Sequence, residues 1–289
     1  MRGKTWLFGI ICLCAAFAQA EADDAQQLIE SANSAYRSGD YSRCVDQYRL
    51  AIDQGGQNRH VFYDAACCCA LSGATDQAFA YLHKAIELGY HDADWLEKDN
   101  DLLSLRDDAR WADLIRRCKD ANQTYLASIN QELYRMYQED QGDRLDSDGE
   151  LDWARINVRD AKHRDRARAL LDAGQVKTSD DYYHAAMIFQ HGHDSTSYAL
   201  ARELALTAVR LDSTNGIARW LAAAAKDRYL WSIGKPQWYG TQPHKIDGKW
   251  TIDPIDTTAV TDEDRRQWNV PSLAEARRNA EAMNKQSEK

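Results

Sequence analysis

The 289-residue sequence has little glycine (15 residues) and very little proline (4). These are the residues that punctuate regular structure, so long helices are permitted and a turn-rich β-sandwich is disfavoured. Positive charge is also short. The formal net charge is −9, which argues against non-specific binding to nucleic acid or to an anionic membrane. No apolar stretch reaches the roughly 20 residues that a membrane helix needs. Several signatures are missing as well. There is no Cys-x-x-Cys, which removes the usual redox and zinc patterns. There is no Gly-x-Ser-x-Gly, no phosphate-cradling Gly-rich loop, no dinucleotide fingerprint and no His-Glu-x-x-His. What remains is 44% hydrophobic and 28% charged, the composition of an ordinary globular protein with chain enough for two domains.

The N-terminus has its own design. A cationic start, Met1-Arg2-Gly3-Lys4, precedes an apolar run from Trp6 to Phe17, and Ala18-Gln19-Ala20 follows with small residues at both ends. The acidic stretch Glu21-Ala22-Asp23-Asp24 comes next. This is the layout of a secretory signal peptide, with cleavage expected after Ala20. Loss of Arg2 and Lys4, with no acid before Glu21, takes the net charge from −9 to −11. The mature chain is expected to be soluble, in the periplasm or outside the cell. It would keep Cys44, Cys67, Cys68, Cys69 and Cys118, and an exported location permits disulfides. The odd number leaves at least one thiol free or paired with another chain. On a helix, neighbouring residues point about 100° apart, so Cys67 and Cys69 do not share a face. Small buried core residues are the simplest reading of the five, and their pairing stays open.

The first half repeats itself. Gly39-Asp40-Tyr41 lies 34 residues before Gly73-Ala74-Thr75. At the same offset Ala32 overlays Ala66, Cys44 overlays Ala78, Tyr48 overlays Leu82, and Ala51-Ile52 overlays Ala85-Ile86. Small residues belong where two antiparallel helices cross closely, and a glycine belongs in the tight turn between them. Helices are expected over 24–38, 41–54, 58–72 and 75–88. The period and the order of residue types resemble the tetratricopeptide repeat family. The stretch from Gly89 to Cys118, with Asp92-Ala93-Asp94-Trp95-Leu96 and Asp101 to Trp111, resembles the closing segment of bacterial tetratricopeptide groups. Such an end unit covers the last hydrophobic face.

The family resemblance also implies an inner binding face made by the first helix of each pair. Here it would carry Gln26, Ile29, Asn33, Tyr36 and Arg37, then His60, Tyr63, Cys67, Ala70 and Leu71. Some members grip a peptide carboxylate there with lysines and asparagines. Only Asn33 and Arg37 resemble parts of that clamp, and its lysines are missing. Tyr36, Tyr63 and Leu71 suit a shallow apolar groove for a peptide or helix. Asn33, Tyr36, Arg37, Tyr63 and Leu71 are therefore the candidate peptide-binding residues. The competing expectation is that this face packs on the second half of the same chain.

The second half reads as helical with one distinctive tail. Helices are expected over 122–141, 149–173, about 180–190, 196–211 and 214–232. The last is rich in alanine (Ala222 to Ala225), so it should lie close to a neighbour. Ala185, Ala201 and Ala208 suit crossing positions. His244-Lys245-Ile246, Asp247-Gly248 and Lys249 to Ile252 read as a hairpin with a type I′ turn. A short helix should start near Thr261, and a last one should run from Pro271-Ser272 to about Met283. Four segments resemble an uncharacterised bacterial domain family over roughly 130–280. They are Glu132 to Gln141, His184 to Asp194, the run Gly234-Lys235-Pro236-Gln237-Trp238-Tyr239-Gly240-Thr241-Gln242, and Pro271 to Glu275. The resemblance implies a domain and candidate residues, with no activity attached.

His184, His191 and Asp194 form the sharpest chemical constellation. The histidines are seven apart, on one helix face. With Glu139, Asp140 or Asp160 they could build a metal or acid–base site. Two histidines two turns apart are about 10 Å from each other, which is too far to ligate one ion unaided. A hydrogen-bonded structural network is the simpler expectation. Gln237, Tyr239, Thr241 and Gln242 could line a ligand pocket, or could lock the hairpin onto the alanine-rich helix. Asp146-Ser147-Asp148-Gly149 resembles part of a calcium loop. With Gly149 at the sixth position, the first and twelfth would be Arg144 and Arg155, where acids are required. Calcium is rejected on that ground, and no cofactor is expected.

The expected fold is all-α: a signal peptide (1–20), a tetratricopeptide helix-turn-helix array (21–121), and a helical domain with one small β-hairpin (122–289). The expected function is a non-catalytic, exported adaptor for a protein or peptide partner, without nucleic acid and without a stable membrane anchor. The alternative is an enzyme or small-ligand receptor centred on His184, His191, Asp194 and Tyr239.

Overall fold

The computed structural model describes residues 24–145 and 151–287. The expected signal segment (1–20) and the Asp146 to Gly149 segment lie outside the described residues. The chain is all-α with one small antiparallel hairpin. It divides into two compact units that part between Ala127 and Ser128. None of the described helices is long and apolar enough to cross a membrane.

In the first unit, α1 (24–37), α2 (Tyr41–Asp53), α3 (Arg59–Ser72) and α4 (Thr75–Glu87) form two helical hairpins. Their backbone bonds recur at an offset of 34 residues. Asp40 N donates to Ala35 O, as Ala74 N does to Cys69 O; Gly56 N donates to Ala51 O, as Tyr90 N does to Ala85 O. Gly39 and Gly73 both sit at positive φ (76° and 83°), a conformation that glycine adopts without steric cost and that closes a helix C-terminus. The overlaid pairs Ala32/Ala66, Cys44/Ala78, Tyr48/Leu82 and Ala51/Ala85 are all buried, the first three pairs in one core. The helices start on side-chain caps: Asp40 accepts from Arg43 N, and Asn58 accepts from His60 N and Val61 N. A disulfide joins Cys44 on α2 to Cys68 on α3, while Cys67, Cys69 and Cys118 are buried thiols.

A short helix, α5 (Ala93–Lys98), and a 3-10 turn (Asn100–Leu105) follow, then α6 (Trp111–Ser128). Leu96, Leu102, Leu105 and Leu114 close the core from this side. The 3-10 turn lies against α3, where Ser104 Oγ donates to Ala70 O at 3.2 Å.

The second unit holds α7 (Gln131–Leu145), α8 (Trp153–Asp172), α9 (Ser179–Gln190), α10 (Ser195–Leu211) and α11 (Gly216–Ser232). Residues 122–141, expected as one helix, instead belong to two. The helix stops at Ser128 and restarts at Gln131 because Asn130 is claimed as a cap. Asn130 Oδ1 accepts from Leu133 N, its backbone N–H donates to Asp181 Oδ1 at 2.7 Å, and its amide donates to Gln175 O. Thr178 and Asp181 form a capping box at the start of α9. The core joins α9, α10 and α11, with Ala185, Ala201, Ala208 and Ala222 to Ala225 all buried. Alanine at these crossings lets the helix backbones approach closely.

The tail folds into β1 (His244–Ile246), β2 (Lys249–Thr251), α12 (Asp262–Gln267) and α13 (Leu273–Ser287). The strands pair His244 with Thr251 and Ile246 with Lys249. Asp247 and Gly248 both have positive φ, as a type I′ turn requires.

Candidate functional site

The first unit contains a cavity of about 570 Å³. Its wall is built from four segments of the chain. From α1 come Asn33 and Tyr36, one helical turn apart; from α2 comes Tyr48; and from α3 come Tyr63, Asp64, Cys67 and Cys68. Trp95 and Lys98 of α5, with Asp99, Asn100 and Asp101, close the far side. Three candidate peptide-binding residues thus meet here: Asn33, Tyr36 and Tyr63. Arg37 and Leu71 do not line it. Arg37 is exposed, and Leu71 is half-buried beyond the cavity.

Tyrosines meet aspartates across this cavity. Tyr36 donates its hydroxyl to Asp101 Oδ2 at 2.6 Å, and Tyr63 donates to Asp99 Oδ2. Tyr48 donates to Asn33 Oδ1 at 2.7 Å and faces Asp64 Oδ2 at 3.4 Å. Cys67 Sγ lies 3.7 Å from Asp99 Oδ2. Tyr63 stacks on Tyr90 with ring centres 4.7 Å apart. Asp99 is placed by the backbone it caps: its Oδ1 accepts from Asp101 N at 3.0 Å, and Arg106 holds its carbonyl at 2.8 Å.

The electrostatics follow from burial and crowded negative charge. Burial, then the neighbouring Cys67 and the hydrogen bond to Asp99, raise the Tyr63 hydroxyl well above the usual tyrosine range. The Tyr36 hydroxyl is raised first by its hydrogen bond to Asp101. Both stay neutral donors. Burial lifts the Cys67 thiol, with Asp99 and Asp101 adding to the effect, so it is no ready nucleophile. Asp64 is pushed up to about 6, first by the protein packed around it, against the Tyr48 hydrogen bond and with help from Asp99. Its outer edge remains exposed.

Sequence reasoning missed Asp64, Trp95, Asp99 and Asp101 as wall residues. Asp64 had a local signal, because it neighbours Tyr63 on a helix whose face had been singled out. Asp99 and Asp101 had none, because their position depends on Leu102 and Leu105 plugging into the core.

The candidates of the second unit have structural partners. His191 Nδ1 lies 2.8 Å from Asp140 Oδ2. Arg144 reaches the same Asp140 at 3.0 Å and Asp160 at 2.5 Å. His184 is buried among aromatic rings, 4.6 Å from Tyr137 and 5.1 Å from Tyr134 between centres. Burial pushes it down to about 4, the charge of Asp181 opposing. Asp194 caps α10, accepting from Ser197 N at 2.8 Å, and that bond leads the lowering of its carboxyl below the usual range. Glu139 pairs with His163 at 3.2 Å.

The tail loop is organised around Asp227, which is fully buried on α11. It accepts from Trp238 N, Tyr239 N and Thr241 N at 2.8–3.0 Å and from Thr241 Oγ1 at 2.8 Å. Gln237, also fully buried, donates to Gln242 O and Ile252 O and accepts from Gln242 N. Gln242 Oε1 takes a bond from Arg228 at 2.7 Å. Arg265 holds the carbonyls of Trp238 and Tyr239. Gln237, Tyr239, Thr241 and Gln242 are therefore brought together, with these bonds pinning the loop to α11. No protein-family model matches the chain, and no curated protein matches it.

Proposed function

We propose that the chain is an exported, non-catalytic adaptor that binds a protein or peptide partner through the cavity of its N-terminal unit. The observation that carries this reading is the meeting of Asn33, Tyr36 and Tyr63 in one cavity of about 570 Å³. That size is typical of a ligand-binding cleft. The resemblance to tetratricopeptide repeats is part of the proposal. It is supported by the turn bonds that recur 34 residues apart and by the buried small residues at matching positions. Export is supported by the composition of residues 1–20. The Cys44–Cys68 disulfide suits an oxidising compartment. The helical domain from Ser128 onward serves in this reading as a second, separately cored module.

The test is capture from an exported fraction by the mature chain beginning at Glu21, beside its Tyr36→Ala/Tyr63→Ala double variant. A protein held by the parent and lost by a variant that retains its circular dichroism supports the cavity. Equal capture by both removes it. Because Tyr63 is buried, Tyr36→Ala alone is the second comparison, and it should weaken capture in the same direction.

A further inference from the structure

The cavity gathers more negative charge than it neutralises. Asp64, Asp99 and Asp101 line it against one ammonium, Lys98. Among the described residues none of the three carboxylates is ion-paired. Their side-chain donors are the neutral hydroxyls of Tyr36, Tyr48 and Tyr63 and the thiol of Cys67. One oxygen of Asp64 and one of Asp101 accept no bond from the described protein. Elsewhere in the same unit acids find partners: Asp108 and Asp76 both hold Arg110, and Asp113 holds Arg116 and Arg117. Charge left uncompensated on a concave wall favours an occupant of the opposite sign.

The other walls narrow the class. Tyr36, Tyr48, Tyr63 and Trp95 supply aromatic surface, and an aromatic face attracts a cation as a carboxylate does. A long cationic side chain suits both surfaces, laying its methylene stem along the rings and its charged head on the carboxylates. Trp95 (52% exposed) and Tyr36 (38%) remain partly open to solvent, leaving apolar surface for the neighbouring residues of a bound chain.

We infer that the cavity receives the lysine or arginine side chain of a bound protein segment. This rests on the peptide-binding reading of the same unit. A metal ion is the competing occupant, because Cys67 Sγ and the carboxylates of Asp99 and Asp101 offer ligand atoms within 4.8 Å of one another. An ion held by that set would have to remove the Cys67 proton and compete with a donor already on Asp99, the Tyr63 hydroxyl at Oδ2 or the Asp101 N–H at Oδ1. An ammonium or guanidinium uses the unbonded oxygens of Asp64 and Asp101 and displaces neither.

The experiment is selection of phage-displayed random dodecapeptides on the immobilised chain from Glu21, followed by titration of one synthetic winner. The expected result is a lysine or arginine fixed at one position. Its replacement by norleucine should cost about tenfold or more in affinity, and Asp101→Asn in the protein should cost a similar factor. Asp64→Asn, at the exposed edge, is the second variant and should weaken binding in the same direction. Winners with no fixed cation overturn the inference and leave the peptide-binding reading standing. So do winners with a fixed cation whose binding is indifferent to both variants. No enrichment over a blank surface overturns both readings.

Discussion

The two units use the same residue types in opposite ways. In the first, aspartates and tyrosines face an open cavity, and among the described residues the carboxylates of Asp64, Asp99 and Asp101 have no ionic partner. In the second, the prominent carboxylates are buried and engaged. Asp227 accepts four donors from the tail loop, and Asp140 is shared between His191 and Arg144. A buried carboxylate surrounded by donors organises backbone, because each donor it satisfies would otherwise be unpaired. A carboxylate on a concave wall with an unbonded oxygen is available to a ligand. A cluster of polar residues therefore points to binding only when its groups are not already claimed by the fold.

The sharpest way to break this contrast is Asp227→Ala. It strands three backbone N–H groups and the Thr241 hydroxyl in one stroke, and should cost about 3–5 kcal/mol in denaturant unfolding of the second unit. A loss within about 0.5 kcal/mol would mean that the loop is held by other contacts. A second effect comes from His184, whose folded-state pKa of about 4 lies below its ordinary 6.5. The depressed value favours the neutral form, so this contribution is intact above pH 6.5 and is lost as pH falls toward 4, because the unfolded chain takes the proton first. Melting followed from pH 7 to pH 4 should fall less steeply for His184→Phe than for the parent. Parallel curves would contradict the assignment.

Asp64 should behave with the opposite sign. Its pKa is raised, from 3.8 to about 6, so it favours the folded state below pH 3.8 and loses that advantage as pH rises through 6. Asp64→Asn should therefore raise the melting temperature of the first unit slightly at pH 7. The gain should be worth less than about 1 kcal/mol because the carboxyl keeps an exposed edge, and it should vanish below pH 4. A variant less stable than the parent at pH 7 would reverse the sign. The smallest effect belongs to Arg37→Ala, since Arg37 lies off the cavity wall. Partner capture should change less than about twofold, as is usual for a residue outside the contact surface. A large loss would extend the binding surface along the exposed side of α1.

Local chemistry made much of the all-α fold legible. Gly39 and Gly73 mark the two turns, the small residues around them mark the helix crossings, and Asp247-Gly248 marks the hairpin. The break at Asn130 was not legible, because its cap is completed by Asp181 and by the carbonyl of Gln175, far along the chain. The site divides in the same way. Asn33, Tyr36 and Tyr63 could be named from helical spacing alone. Asp99 and Asp101 arrive through the docking of a 3-10 turn on α3, which no periodicity announces. His184 and His191 share a helix face by spacing. Only the packed structure reveals that Asp140 takes one while tyrosines enclose the other.

The most direct measurement sets one carboxylate from each unit side by side. Asp101→Asn and Asp227→Asn would each be made in the full mature chain, and the melting temperature and capture of the same partner would be recorded for both. Asp101→Asn should leave melting within about 2 °C of the parent and lose capture. Asp227→Asn should lower melting by about 5 °C or more, as expected for a few kcal/mol in a unit of this size. If Asp101→Asn instead lowers melting as much as Asp227→Asn and leaves capture intact, the cavity carboxylates belong to the fold, and the distinction between the two units fails.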